Sequence, residues 1–289
     1  MHDGAERRGI AWKINSEIVL LLGWSPAVLL QVAHPLVAAG VAEHSLFLSD
    51  PKGRLGRLRR TIETMLAFTF GTPEEVAGAA RRINAIHDRV NGQLAERAAA
   101  FDERTRYSAH DPALLRWVHA TMLETFPRTY ELYVGPLTPE EKDRYCAEAS
   151  GMAPLLGIPD GYLPASTVEL RAYMDEMLAS GLIVPSETAR VLAREIVAPP
   201  LPRPVRPLLW LSQLPTVGLL PPTIRAAYGF PWDERREAAL RLTAGLTRAI
   251  LARSPSRLRH WGAARAALAR TRPPPEHRTC MPTAHADSR

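Results

Sequence analysis

Start signals of α-helices recur along this chain and constrain its fold more than any other feature of the sequence. A side chain that can accept a hydrogen bond repeatedly comes directly before a proline, as at Ser25, Thr72, Asp111 and Thr138. Proline suits the first position of a helix because its missing N–H has no partner there, and the preceding side chain caps the free backbone amides. Two of these starts continue with acidic pairs, Glu74-Glu75 and Glu140-Glu141, which the helix dipole favours.

These signals and the spacing of apolar residues predict ten helices. They lie near residues 11–22, 25–44, 51–70, 73–99, 111–134, 138–156, 167–181, 186–198, 233–253 and 255–270. No segment combines apolar–polar alternation with β-branched residues, so strands are expected to be absent or marginal. The expected fold class is therefore all-α. We expect one helical domain over residues 1–270, with a proline-rich irregular segment at 199–222 inside it.

The last third of the chain carries the positive charge. The 36 Lys and Arg residues exceed the 30 Asp and Glu residues, for a net charge of +6. Residues 201–289 hold 15 Arg, no Lys and 5 acidic residues, a balance of +10, whereas residues 1–200 carry −4. A basic face over the whole fold is therefore excluded, and no nucleic-acid partner is expected. Residues 271–289 lack apolar periodicity, so we expect a disordered basic tail.

Residues 18–42 form the most apolar stretch and contain no Asp, Glu, Lys or Arg. Their length would suffice to span a bilayer, but Pro26, Gln31, His34 and Pro35 interrupt them. Because polar groups in hydrocarbon are costly, a helix buried in protein is the favoured interpretation and a membrane span the minor one. Pro35 removes one N–H from the helix and frees the carbonyl of Gln31, so we expect a kink beside His34.

Absent motifs exclude several enzyme classes. The chain has no GxGxxG, Walker-type phosphate loop, HExxH, CxxC, CxxCH or GxSxG, and no glutamate has a histidine three residues later, as helical di-iron enzymes require. Cys146 and Cys280 make neither a disulfide framework nor a four-thiolate zinc site. The N-terminus lacks the pattern of a signal peptide, so a reducing, cytoplasmic setting is expected.

Histidines on apolar helices remain as candidate ligands. His87 occupies a core position in an otherwise apolar row, which runs Val76, Ala80, Ile83, His87, Val90 and Leu94. Such a ring must stay neutral, and an iron ion is one partner for it. From the row alone, a structural histidine bonded to a neighbouring carbonyl is the more frequent case. His119 and Trp117 suit aromatic packing, so structural roles are expected for them.

A polar face on the helix before His87 is the second candidate. Arg57, Arg60 and Thr61 lie at i, i+3 and i+4 and share this face. A charged face of this kind is usually solvated, but guanidinium groups also suit cofactor propionates or bound oxygen. Glu43 ends the preceding helix and would place a carboxylate at the rim of a pocket.

Six segments, taken in order, resemble one protein family. They are LLQVAHPLVAAGVAEHS, RLRRT, FGT, RRINAIHDRVNG, YSAHDPALLRWVHATM and LLGIPDGYLPAS. Over roughly residues 12–230 the chain resembles the haem-dependent oxygenases that include latex clearing protein and the MpaB oxygenase of mycophenolic acid biosynthesis. The segments are specific in combination, whereas each alone is a weak signal.

The resemblance implies a globin-like helical bundle that encloses a non-covalently bound haem b, with O2 as co-substrate. His87, in Asn84-x-x-His87, matches the family's axial histidine and is implied as the proximal iron ligand. The segment Arg57-x-x-Arg60-Thr61 matches an Arg-x-x-Lys-Thr motif of latex clearing proteins, which implies a place at the distal side or at the propionates. Arginine stays protonated and binds iron poorly, so a vacant or water-bound distal position is expected.

Two further site residues follow from the resemblance. Glu43 corresponds, at approximate spacing, to a glutamate that acts as a base in rubber oxygenases. His34 is implied as a wall of the pocket or, as the lesser alternative, as the axial ligand. All of these residues belong to the segments that carry the resemblance or lie beside them.

The leading hypothesis is a haem b oxygenase that oxidises a hydrophobic small molecule, with oxidative cleavage of a C=C bond as one expected reaction. It would be cytoplasmic, with peripheral membrane contact left open. One alternative is a haem-binding protein for storage, sensing or peroxidase-like protection. The other is a helical interaction module without a cofactor, tethered by its basic tail to nucleic acid or an anionic surface. The sequence does not indicate the oligomeric state.

Overall fold

Helices dominate the structure, a computed structural model that describes residues 9–44, 51–197 and 206–270. Within these ranges it contains fourteen α-helices, two 3-10 helices and one small sheet. The predicted all-α class is confirmed. The predicted tail at 271–289 and the first part of the proline-rich segment lie outside the described residues, as do the side chains of 51–55, 57–58 and 206–209.

The helices have the following bounds. In chain order they are α1 (Ile10–Asn15), α2 (Trp24–Val32), α3 (Pro35–His44), α4 (Pro51–Phe70), α5 (Pro73–His87), α6 (Pro112–Tyr133), α7 (Pro139–Ser150), α8 (Thr167–Ala179), α9 (Glu187–Val197), α10 (Arg206–Gly218), α11 (Pro222–Tyr228), α12 (Glu234–Arg253), α13 (Ser256–Arg259) and α14 (Gly262–Arg270). The 3-10 helices are Ile18–Gly23 and Ala153–Leu156. The strands are β1 (Asn91–Gln93) and β2 (Arg106–Ser108), paired antiparallel.

Local capping signals place the helix starts. Thr72 accepts a hydrogen bond from the amide of Glu75 while the Glu75 carboxylate accepts one from the amide of Thr72, and Thr138 and Glu141 repeat this reciprocal pair. Asp111 caps α6 through the amide of Ala113. These three predicted starts are confirmed, because a cap depends on residues within one turn of the helix end.

The apolar stretch at the N-terminal end of the fold builds the core. The chain breaks between α2 and α3 at Ala33 and His34, and the two halves are bent by 111°. The carbonyl of Gln31, which Pro35 leaves without its usual helical partner, accepts hydrogen bonds from the indole of Trp117 and the amide of His34, each at 3.2 Å. The predicted kink is confirmed. The helix α2 packs against α6 and α9 in the largest buried cluster.

The structure corrects several predicted helices. The helix predicted at 73–99 ends at His87 and is followed by the β1–β2 hairpin, so the marginal strands are one short pair. The segment predicted as irregular at 199–222 contains α10, which runs through Pro215. The helix α11 was not predicted. The ends of the predicted helices at 11–22 and 138–156 are 3-10 turns, and 255–270 is two short helices.

The length of the helices bears on the predicted membrane span. No single helix in the described ranges is both long and apolar enough to cross a bilayer. The pair Ile18–Val32 and Pro35–His44 meets the length and composition requirement only when taken together across its bend.

Candidate functional site

The end of α5 and the β1–β2 hairpin bring three polar side chains together. His87 is the last residue of α5, and its ring meets the ring of His110 edge to face, with centroids 5.7 Å apart. Nε2 of His110 lies 2.8 Å from a carboxylate oxygen of Asp88. The amide of Val90 donates to the His87 carbonyl, and the amide of Ala109 donates to the Val90 carbonyl, so backbone hydrogen bonds fix this corner.

His87 is a neutral, half-buried imidazole. Its Nδ1 is buried and has no hydrogen-bond partner among the described residues. Burial lowers the pKa of His87, His110 lowers it further, and Asp88 opposes the shift. The ring therefore carries no charge near pH 7, which is the form that binds metals. The predicted core position is wrong in one respect, since the ring lies at the helix end beside exposed Ile86 and is not enclosed.

The polar face of α4 lies about as far along its helix from the α4–α5 turn as His87 lies along α5. The two helices contact each other and are joined by only two residues, Gly71 and Thr72. Arg57 precedes this turn by about as many residues as His87 follows it, which puts both about 21 Å from the turn along the helices. Arg60 and Thr61 are exposed there, and the Arg57 side chain lies outside the described residues.

Glu43 is held by a tyrosine that the sequence analysis did not single out. The hydroxyl of Tyr107, on β2, donates to Oε2 of Glu43 at 2.5 Å, and Nε2 of His44 lies 3.2 Å from the same hydroxyl. Tyr107 is buried, and burial together with Glu43 raises its pKa. The phenol therefore stays protonated and acts as a hydrogen-bond donor to the carboxylate.

Two glycines give Tyr107 the space to reach Glu43. A Cβ at Gly92, its partner on β1, would lie 2.6 Å from the Tyr107 hydroxyl. A Cβ at Gly40 on α3 would lie 3.2 Å from a methyl group of Val90 and 3.6 Å from the Tyr107 ring. The helix α3, which carries Glu43, thus packs directly on the hairpin that follows His87.

His34 is buried at the break between α2 and α3. Its Nδ1 accepts a hydrogen bond from the amide of Leu36 at 3.3 Å, and its ring packs 5.3 Å from that of Phe101. Burial lowers the pKa of His34 to about 4, against a smaller opposite effect of Asp111. Because Nδ1 is an acceptor in a neutral ring, the hydrogen resides on Nε2.

An open cleft of about 240 Å³ adjoins Glu43 between α3, the hairpin and the start of α9. The side chains that line it are mostly small and apolar. They are those of Pro35, Ala39, Ala42, Glu43, Leu94, Ala95, Glu96, Ala98, Ser186 and Thr188. The cleft thus combines a mostly apolar lining with two carboxylates, and Tyr107 holds that of Glu43 in place.

The structure thus arranges three of the six predicted site residues around one hairpin, whereas Arg57, Arg60 and Thr61 lie on α4, for which no extensive contact with the hairpin is seen among the described residues. His34, Glu43 and His87 all lie on elements that contact it or end at it. Tyr107, Asp88 and His110 were missed, although the segment YSAHDP that contains two of them contributes to the family resemblance. Within the described ranges, no three His, Cys, Asp or Glu side chains form a multidentate metal site.

The comparison with known proteins decides the family. The family model described as "ER-bound oxygenase mpaB/B'/Rubber oxygenase, catalytic domain" matches residues 12–249. The chain belongs to this family. The match extends the predicted resemblance to Ala249, near the end of α12, and includes His34, Glu43 and His87. No curated protein and no solved structure matches the chain.

Proposed function

We propose that this member of the mpaB/rubber oxygenase family is a haem b-dependent oxygenase that acts on an apolar small molecule. Family membership supports an enzyme of the oxygenase type. The dependence on haem and the class of substrate are the proposal. The observation that carries it is the neutral ring of His87, which has an uncommitted buried nitrogen at the exposed end of α5.

A histidine of this chain would hold the haem iron, and among His34, His87 and His119 it is His87 that fits this role best. The Nδ1 atom of His34 already accepts a hydrogen bond from the Leu36 amide, and its Nε2 carries the hydrogen. Neither nitrogen of this ring is therefore free to bind iron. His119 also has an unpartnered nitrogen, but it is almost fully enclosed in α6. Of the three, His87 alone is only half-buried, so its ring lies nearest to a surface from which a planar group could reach it.

Arginines of α4 supply the complementary charge. Arg57 and Arg60 lie on the helix that contacts α5, and Arg57 is about as many residues from the connecting turn as His87 is. Their guanidinium groups would pair with haem propionates or donate hydrogen bonds to bound oxygen, and Thr61 would add a hydroxyl donor. Arg60 remains protonated, so it would not compete for the iron.

Haem iron, when bound, supplies the activation of dioxygen. The chain supplies binding, orientation and proton transfer. His87 would bind the iron and tune its electron density. Glu43 would accept a proton from the substrate, since Tyr107 holds its carboxylate at the cleft. The cleft and the packed pair of His34 and Phe101 would give the substrate an apolar surface.

Haem binding by purified full-length variants tests this proposal first. Wild-type protein titrated with haem should give a Soret band at one haem per chain. His87→Ala should bind at least about tenfold more weakly, whereas His119→Gln, a matched change on a structural histidine, should bind as wild type does. Circular dichroism confirms folding of each variant. Unchanged binding by His87→Ala, or no binding by the wild type, refutes the assignment.

Product analysis then separates an oxygenase from a haem carrier. The reduced, haem-loaded protein is incubated with polyprenyl and phenolic compounds under ¹⁸O₂, and products are analysed by mass spectrometry. Incorporation of label, lost in Glu43→Gln while haem content stays constant, supports the proposal. A protein that binds haem through His87 and yields no labelled product from the panel favours the storage or sensing alternative.

A further inference from the structure

A row of large apolar side chains lies exposed along α12. Leu242, Leu246 and Ile250 are 65%, 57% and 65% exposed, and their spacing of four residues puts them on one face of the helix. The opposite face, with Leu240 and Ala244, is buried against the body of the protein. Three large apolar residues in one solvent-exposed row are unusual in a surface helix, whose outer face is normally polar.

Arginines lie at both ends of this row. Arg235 and Arg253 lie seven residues before Leu242 and three after Ile250, which places both on the same face at its two ends. Both are exposed, and so is Arg241 beside the row. Residues 238–270 contain seven arginines and no acidic residue. The outer face of α12 is thus apolar along its middle and carries an arginine at each end, with Glu234 beside Arg235 at the N-terminal end and no acidic residue of the helix beyond Glu237.

Two neighbouring helices also expose large apolar side chains. Leu258 on α13, the helix that follows α12, is 68% exposed. The helix α10 contacts α12 and exposes Trp210 and Leu211. Tryptophan is enriched where a protein meets the boundary between lipid and water.

We propose that the outer face of α12 docks on an anionic membrane surface. A helix with a Leu/Ile row and arginines lies in the plane of the lipid headgroups, where the apolar side chains enter the acyl boundary and the guanidinium groups meet lipid phosphates. A second copy of the chain is a poorer occupant, since pairing two such rows brings arginine against arginine in either orientation. Nucleic acid would satisfy the arginines but leave the apolar row in water.

Vesicle flotation of the full-length protein tests this. Binding to phosphatidylcholine vesicles that contain about 30% phosphatidylserine should exceed binding to phosphatidylcholine alone and should weaken with salt. The triple variant L242S/L246S/I250S should lose roughly tenfold or more of the binding. Val168→Ser, which changes a 77% exposed valine on α8, is the matched control and should bind as wild type does.

The charge is tested separately. R235Q/R241Q/R253Q should lose the preference for anionic vesicles, whereas R171Q, at an exposed arginine of α8, should keep it. Wild-type protein that does not bind anionic vesicles overturns the proposal, and so does unchanged binding by the triple serine variant. A wild-type dimer that becomes monomeric in the serine variant, without vesicle binding, would assign the face to a second copy.

Discussion

Two buried histidines make the fold sensitive to mild acid. His34 and His119 are 4% and 6% exposed, and burial lowers the pKa of each from 6.5 to about 4. In the unfolded chain both titrate near the ordinary value. Between pH 6.5 and 4 the unfolded state therefore binds more protons than the folded state, and stability falls as the pH falls.

The size of this effect follows from the two pKa values. At about pH 5 an unfolded imidazole is almost fully protonated and a folded one with a pKa of about 4 is mostly neutral, a difference of about 2 kcal/mol per histidine. Together the two histidines cost about 4 kcal/mol relative to pH 8. This is a large part of the unfolding free energy of a typical domain, which is roughly 5–15 kcal/mol.

Urea unfolding at about pH 7.5 and about pH 5 measures the effect. In His119→Phe the difference in unfolding free energy between the two pH values should shrink by about 2 kcal/mol. Thr129→Val, which changes a buried, non-titrating residue on the same helix, should shift stability equally at both pH values. If His119→Phe lost as much stability in acid as the wild type does, the neutral buried state of this histidine would be refuted.

Three further results are expected. Glu17→Gln removes the buried carboxylate that binds an arginine and a histidine of the C-terminal helices and should lower the unfolding free energy by about 3 kcal/mol in urea; an unchanged value would show that this contact contributes nothing. Gly92→Ala should displace Tyr107 and lower the free energy of unfolding by about 1–3 kcal/mol. Gly245→Ala, with no atom within 4 Å of the new Cβ, should leave this free energy unchanged or raise it slightly. Equal effects of the two substitutions would contradict the close approach of Tyr107 to Gly92. A chain that ends at Arg270 should bind as much haem as the full chain, and loss of haem would place the tail in the haem site.

Helix starts were predictable from the sequence because their determinants are local. The reciprocal pairs at Thr72 and Thr138 lie within four residues, so the pattern contains the whole interaction. The break at Pro35 was predictable as a kink for the same reason. Its angle of 111° was not, because the indole that donates to the freed carbonyl of Gln31 belongs to Trp117, 86 residues later in the chain.

The hairpin after His87 was missed because Val90 and Leu94 continue the apolar spacing of α5 by coincidence. The strand pairing that follows the helix joins Gly92 to Tyr107, and the only local sign of it is the turn-favouring dipeptide Asn91-Gly92. The proline-rich segment was predicted to be irregular, but its described part contains the helix α10. Pro207 lies in the first turn of α10, where proline is tolerated, and the helix continues through Pro215.

The residues of the candidate site were predicted from the sequence and stay a prediction, whereas their geometry comes from the structure alone. The family resemblance pointed to His87, Glu43 and the arginines of α4 through their motifs. It did not reveal that Tyr107 binds Glu43, since the two residues are 64 positions apart. It also did not reveal that His110 packs on His87, because the contact depends on the fold of the hairpin.

The role proposed for His87 is that of the protein ligand of a haem iron. The most direct measurement is the absorption spectrum of haem-loaded His87→Gly protein with and without free imidazole. We expect the variant to lose the wild-type spectrum and imidazole to restore it, because the small ligand occupies the position of the removed side chain. A wild-type spectrum from His87→Gly without imidazole would contradict the claim and place the iron ligand elsewhere.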